Sequence, residues 1–223
     1  MKYAILFLMV SAILWFYPVV RGGGWWWLLA WPASSFAILS LGYGFLGVKI
    51  FAKKSNGRIG FLSLVILLPY LAYLWLVWYL VRILSSENLY DEVYPDLIIG
   101  RKLMGWEIIE GIDHVIDLTC EFNKPKQFNR LDYYAFPILD GAVPKKGQID
   151  RWVDIVMNLP GRKYIHCAEG HGRTGMLTIA YLVKSGRCQS VDEALKTLKI
   201  IRPLMRLGSQ QLKFLYSWER QIN

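Results

Sequence analysis

Eighty-six residues pass before this 223-residue chain places its first carboxylate, Glu87. An ordinary soluble domain carries charges of both signs throughout. Inside that stretch, residues 3–20, 25–50 and 59–84 are apolar runs, each long enough at about 1.5 Å per residue to cross a bilayer. Trp25, Trp26 and Trp27 open the second run, where indole rings settle at the head-group level, and Pro69 predicts a kink in the third. A buried soluble helix is rarely apolar on every face over such a length, so three transmembrane helices are expected. The first run is read as a retained span and not a signal peptide, because Trp15-Phe16-Tyr17-Pro18 closes it with no small-x-small cleavage site.

The charge distribution decides what the net +9 means. Of 26 Lys and Arg, seven lie before Glu87 (Lys2, Arg21, Lys49, Lys53, Lys54, Arg58, Arg82), leaving 19 against all 17 acidic residues, or +2, in residues 87–223. A nucleic-acid partner would demand basic excess on the folded domain, whereas here it sits between apolar runs, as bilayer topology requires. The partner expected is therefore the lipid bilayer and not nucleic acid. Lys2 and the Lys49–Arg58 loop fall on one side and Arg21 with Arg82 on the other; that count favours a non-cytoplasmic domain, while a free thiol favours reducing cytosol, so the side stays open. A transporter is disfavoured, since the spans hold no acid and only Lys49 and Arg82 near their ends.

At Ser85 the composition turns mixed and polar. Residues 85–93 form the expected linker between a membrane region, 1–84, and a domain over 94–223. Residues 91–100 predict one short strand, 105–110 a helix, and His114-Val115-Ile116-Asp117-Leu118-Thr119 a strand. Residues 133–138 are a further strand, 149–159 a helix, and Lys163-Tyr164-Ile165 the end of another strand. Ser190-Val191-Asp192-Glu193 is a capping box opening a helix to about Ile201, and residues 210–219 carry apolar residues at helical spacing. Alternating strands and helices predict an α/β fold around a mostly parallel sheet.

The chemistry concentrates in His166-Cys167-Ala168-Glu169-Gly170-His171-Gly172-Arg173-Thr174-Gly175, a glycine-rich loop between a strand and a helix. Glycines let such a loop curl with its N–H groups inward, and at the positive end of a helix dipole an inward ring of N–H groups holds an anion. Ala168, Glu169, Gly170, His171, Gly172 and Arg173 would line a phosphate, with the Arg173 fork on two of its oxygens. The same field favours Cys167 as thiolate, the nucleophilic form. Thr174 can hydrogen-bond the sulfur as it leaves, and His166 can order the loop from behind.

This loop resembles the H-C-x5-R-[ST]-G signature of cysteine-dependent phosphatases, and its glycines are most similar to the dual-specificity branch. Arg202, Pro203 and Gln211 resemble positions in the closing helices of that branch, so the resemblance runs from about Tyr94 to Glu219. It implies the phosphatase fold, phosphomonoester hydrolysis through a phosphocysteine, and neither metal nor cofactor. It also implies a general acid on a loop ahead of the cysteine. Asp140, between a strand and Gly141-Ala142-Val143-Pro144 and 27 residues before Cys167, is the candidate; Asp132 and Asp150 are the others.

Substrates in view are a phosphoprotein and a phospholipid head group. Lipid-acting relatives often carry lysines within the loop, where this chain has Ala168 and His171. A non-catalytic membrane adaptor that captures phosphorylated partners is the alternative. Cys120 and Cys188, with no C-x-x-C pair, read as structural thiols.

Overall fold

The computed structural model describes residues 2–22 and 24–222, which divide into two compact units. The first comprises residues 1–54, 58–86 and 120–122; the second comprises 55–57, 87–119 and 123–223.

In the first unit, helix α1 (Lys2–Arg21) and helix α3 (Phe61–Leu84) are continuous, each with Pro inside it. The middle segment is not one α-helix. A 3-10 turn (Gly24–Leu29) leads into α2 (Ala30–Leu41), followed by a π turn (Gly42–Leu46) and a second 3-10 turn (Gly47–Phe51). Glycines at 42, 44 and 47 interrupt the apolar run, and glycine has little preference for the helical well. All three segments are long and apolar enough to cross a membrane, with mean hydropathies of 2.1, 1.4 and 2.1. Two hydroxyls are satisfied across helices, Ser11 Oγ donating to the Ala33 carbonyl (2.8 Å) and Ser40 Oγ to the Ala4 carbonyl (2.7 Å), as apolar surroundings favour.

The second unit is an α/β domain. Its five strands are β1 (Tyr90–Tyr94), β2 (Leu97–Arg101), β3 (His114–Thr119), β4 (Asp132–Ile138) and β5 (Lys163–Cys167), in the spatial order β1-β2-β5-β3-β4. All neighbours are parallel except β1 and β2. Helices α4 (Gln148–Asn158), α5 (Gly172–Lys184), α6 (Val191–Ile201) and α7 (Ser209–Ile222) complete it. The sheet is thus mixed, parallel in its centre.

Strand alternation assigns the faces. Leu97, Ile99, Ile116, Leu118, Ile165 and Cys167 share one apolar layer with residues of α4 to α7. Ile98, Val115 and Tyr164, one residue out of step, pack into another with Leu103, Ile109, Ile112 and Phe128. The last strand in the sequence, β5, is inserted between β2 and β3, so its carboxyl end has a strand on either side. In open α/β sheets, that is the place where ligands bind.

Two expectations are corrected. Residues 91–100 form two strands and not one: Pro95, which cannot donate to a ladder, and Asp96 turn the chain back between β1 and β2. Residues 105–110 are not helical. Six residues give too few hydrogen bonds to offset nucleation, and side chains take the backbone instead. Glu107 Oε2 accepts from Met104 N (2.7 Å), and Gln127 Nε2 donates to the Met104 carbonyl (2.7 Å). Ser190 caps α6 as expected, its Oγ accepting from Glu193 N at 3.2 Å, while Glu193 Oε2 reaches one residue further back, to Gln189 N (2.6 Å).

Candidate active site

Residues 168–171 leave the central strand at Cys167 and enter α5 at Gly172. Cys167 is only 3% exposed, and its register partner on β2 is Arg101. Three carbonyls of the loop are engaged from outside it. Ala168 O accepts from Lys102 N (3.1 Å), Glu169 O from Arg202 Nη2 (3.3 Å), and His171 O from Gly175 N (2.6 Å). In a trans peptide the N–H points opposite to the C=O, so turning these carbonyls outward aims the N–H groups of Glu169, Gly170 and Gly172 inward. Inward N–H groups at a helix N-terminus are an arrangement that can take an anion.

Gly170 makes this curl possible. It lies at φ +72°, and a Cβ there would stand 2.6 Å from both C and O of Gly100 on β2. Gly172 is similarly close to Gln211, whose side chain would lie 2.7 Å from an added Cβ. Gln211 is buried; it accepts from Gly208 N (2.9 Å) and donates to the Ala142 carbonyl (3.4 Å), tying the loop after β4 to the turn before α7.

Arg173, 2% exposed, donates from Nη1 to the Ile138 carbonyl (3.0 Å), and its Nη2 stands 3.3 Å from Asp140 Oδ1. Asp140 itself is open to solvent, just past the carboxyl end of β4. The other two acid candidates lie elsewhere: Asp132 begins β4 and faces His114, and Asp150 in α4 accepts from Trp218 Nε1 (2.8 Å). The Thr174 hydroxyl is fully buried and makes no hydrogen bond among the described residues.

His166 points to the opposite face of β5 from Cys167. It stacks on Tyr164 (ring centroids 5.3 Å) beside Phe128, its Nδ1 lies 3.3 Å from the Cys167 carbonyl, and Nε2 is 3.9 Å from Asp117. Asp117 in turn accepts from Thr119 N (2.8 Å) and Thr119 Oγ1 (2.7 Å) and from the Tyr133 hydroxyl.

One part of the site was not foreseen. Glu87, assigned by sequence to the linker, accepts from Arg101, from His171 Nε2 (2.9 and 3.1 Å to its two oxygens) and from Arg202 Nη2 (3.5 Å). Arg202 also binds Asp91 at 2.6 Å. Burial pushes the Glu87 carboxyl up, but the Arg101 bond and the charges of His171 and Arg202 outweigh it and hold Glu87 below its usual range. Burial likewise lowers His171, partly offset by Glu87.

A loop of this build, rising from the central strand of a mixed α/β sheet, defines the phosphatase fold. The catalytic-domain family of dual specificity phosphatases matches residues 106–221, and the chain belongs to that family. Among its relatives, the human dual specificity protein phosphatase CDC14C is 34% identical over 103 residues, 45% of this chain and 23% of that protein. Human dual specificity protein phosphatase 1 is 29% identical over 148 residues, 58% of this chain and 39% of its own length. The chain thus spans well under half of either. In fold it resembles Tk-PTP in its active form (TM-score 0.54, 22% identity, 60% of this chain and 98% of that one). It also resembles PTPMT1 in complex with PI(5)P (TM-score 0.51, 18% identity, 60% and 97%).

Proposed function

We propose that the chain is a membrane-anchored, cysteine-dependent phosphatase that hydrolyses phosphomonoesters through a phosphocysteine. The observation that carries this reading is the loop whose carbonyls are drawn outward, with Cys167 at its start, Arg173 at its end and Asp140 on the arginine. In the first step Cys167 Sγ attacks phosphorus and the P–O bond to the leaving group breaks. Asp140 gives its proton to that oxygen, since an unprotonated alkoxide leaves slowly. In the second step Asp140 takes a proton from water, which attacks phosphorus and displaces the sulfur, releasing inorganic phosphate. Thr174 Oγ, which makes no hydrogen bond among the described residues, is available to the departing sulfur.

The phosphoryl charge is met by the inward N–H groups of residues 169, 170 and 172 and by Arg173. These are fixed dipoles and a fixed cation that need no reorganisation during the reaction. His166 holds the strand end from the far face. The three apolar segments fit the role of anchor, and the substrate class is a phosphomonoester on a protein side chain or a phospholipid head group.

The test uses the full-length chain in detergent with para-nitrophenyl phosphate, phosphopeptides and phospholipid vesicles. Turnover that Cys167→Ser reduces to background supports the reading. Binding of phosphorylated ligands by the wild type with no release of phosphate would refute it in favour of an adaptor.

A further inference from the structure

We infer that Glu87, the third residue beyond the end of α3, is a positioning residue for the phosphate-binding loop, holding His171 directly, Glu169 through Arg202, and the adjoining strand β2 through Arg101. The inference rests on the catalytic reading above and names the device that keeps that loop in shape.

Its basis is the convergence of three elements on one carboxylate. His171, the last residue of the loop before α5, donates to both Glu87 oxygens. Arg101 is 0% exposed, the register partner of Cys167, and bonded to Glu87 Oε2. Arg202 is 2% exposed, sits at the end of α6, and bridges Glu87, Asp91 and the Glu169 carbonyl of the loop. Glu87 thus reaches the loop at residues 169 and 171 and the strand beside it at 101. Its side chain is 11% exposed, so these bonds operate in a poorly screened setting.

Chemistry requires such a counter-charge. Two guanidinium groups are buried here behind a loop built to take a phosphate. Left uncompensated, they would repel one another and pull the loop carbonyls out of register. Glu87 and Asp91 neutralise that pair, so the guanidinium left facing the phosphate is that of Arg173. The inward N–H groups of residues 169, 170 and 172 depend on where the carbonyls of residues 168, 169 and 171 are held, and Glu87 fixes the groups that hold or neighbour them.

The expected effect falls on the transition state more than on ground-state binding, because the N–H ring must match oxygens that spread as the phosphoryl group transfers. In the full-length protein in detergent with para-nitrophenyl phosphate, Glu87→Ala should lower kcat about 30- to 100-fold, the scale of a roughly 1 Å misplacement, with KM changed less than about threefold. Glu87→Asp, which keeps the charge on a shorter arm, should recover most of the loss. Glu87→Gln, which keeps the shape, should lose about tenfold and carries the test if the alanine variant does not fold. Combined with His171→Gln, Glu87→Gln should add less than its effect alone, since the two share one bond.

A folded Glu87→Gln or Glu87→Ala protein with kcat within twofold of wild type overturns the inference while leaving the catalytic reading intact. So does a loss appearing wholly in KM, or one in which Asp is no better than Ala. An inactive wild-type chain overturns both.

Discussion

Replacing Gly170 by alanine separates the cost of a backbone conformation from the cost of a displaced loop. At φ +72° an L-residue pays about 1–2 kcal/mol relative to glycine. In addition, the new Cβ would stand 2.6 Å from Gly100 C and O and 3.0 Å from Arg101 N. Ordinary contact begins at 3.4 Å, so the two backbones must part by about 0.8 Å. The strand cannot easily give way: Gly100 is paired with Tyr90 on β1 and with His166 on β5. The loop must move instead, and a shift of about 1 Å at a reacting centre costs about 100-fold in rate. Gly186 provides the control, because it has the same φ of +72° with nothing within 4 Å of an added Cβ. Both variants should unfold at lower temperature in a thermal-shift assay, by a few degrees. Only Gly170→Ala should lose kcat on para-nitrophenyl phosphate, by about two orders of magnitude. If Gly170→Ala turns over within threefold of wild type, or Gly186→Ala loses as much, the argument that β2 braces the loop is wrong.

Two further outcomes follow from charges outside the loop. Asp140→Asn should slow release of alkyl phosphates steeply while sparing aryl phosphates, whose leaving groups need no proton; an equal loss on both would move the acid elsewhere. Asp96, in the β1–β2 turn, is held at about 2 by a paired bond from Arg187 (2.8 Å to each oxygen) and by Lys163. Its folded pKa lies below its ordinary value of 3.8, so its stabilisation is present above pH 4 and vanishes as pH falls toward 2. With the side chain a third exposed, about 1–2 kcal/mol is expected after screening. Asp96→Asn should therefore melt earlier than wild type at pH 7 with kcat unchanged, and a melting difference as large at pH 2.5 as at pH 7 would contradict the assignment.

The parts of this chain that could be read in advance are those whose physics is local. The ten residues from His166 to Gly175 carry the strand end at Cys167, the glycine turn, Arg173 and the helix start in one contiguous stretch, and β3 to β5 announce themselves by branched and aromatic residues. Where neighbours in space decided the outcome, sequence reasoning fell short. The 105–110 segment has helix-compatible residues, but Gln127 and Glu107 bind its backbone, and Gln127 is 20 residues distant from the nearer of its two carbonyls. Glu87 was taken for linker because its partners Arg101, His171 and Arg202 are 14, 84 and 115 residues away, and nothing along the chain marks those four as one group.

That grouping also explains how a loop can favour a dianion without collapsing on its own positive charge. Arg101, Arg173 and Arg202 are all buried in this unit, and three bare guanidinium groups at that density would cost far more in desolvation and mutual repulsion than one phosphate returns. The carboxylates divide the task by exposure. Glu87 and Asp91, each with an 11% exposed side chain, hold Arg202 permanently, and Glu87 also holds Arg101. Arg173 is met by Asp140, whose side chain is 76% exposed and can exchange its partner for water. On the catalytic reading proposed above, an incoming phosphate would meet the most solvent-exposed of these pairs, Arg173 with Asp140, a screened contact worth about 0–1 kcal/mol. The guanidinium it would gain is already set by the Ile138 carbonyl, and Asp140, released from that pair, would stay at the mouth of the loop, free to take up the proton that a leaving group needs.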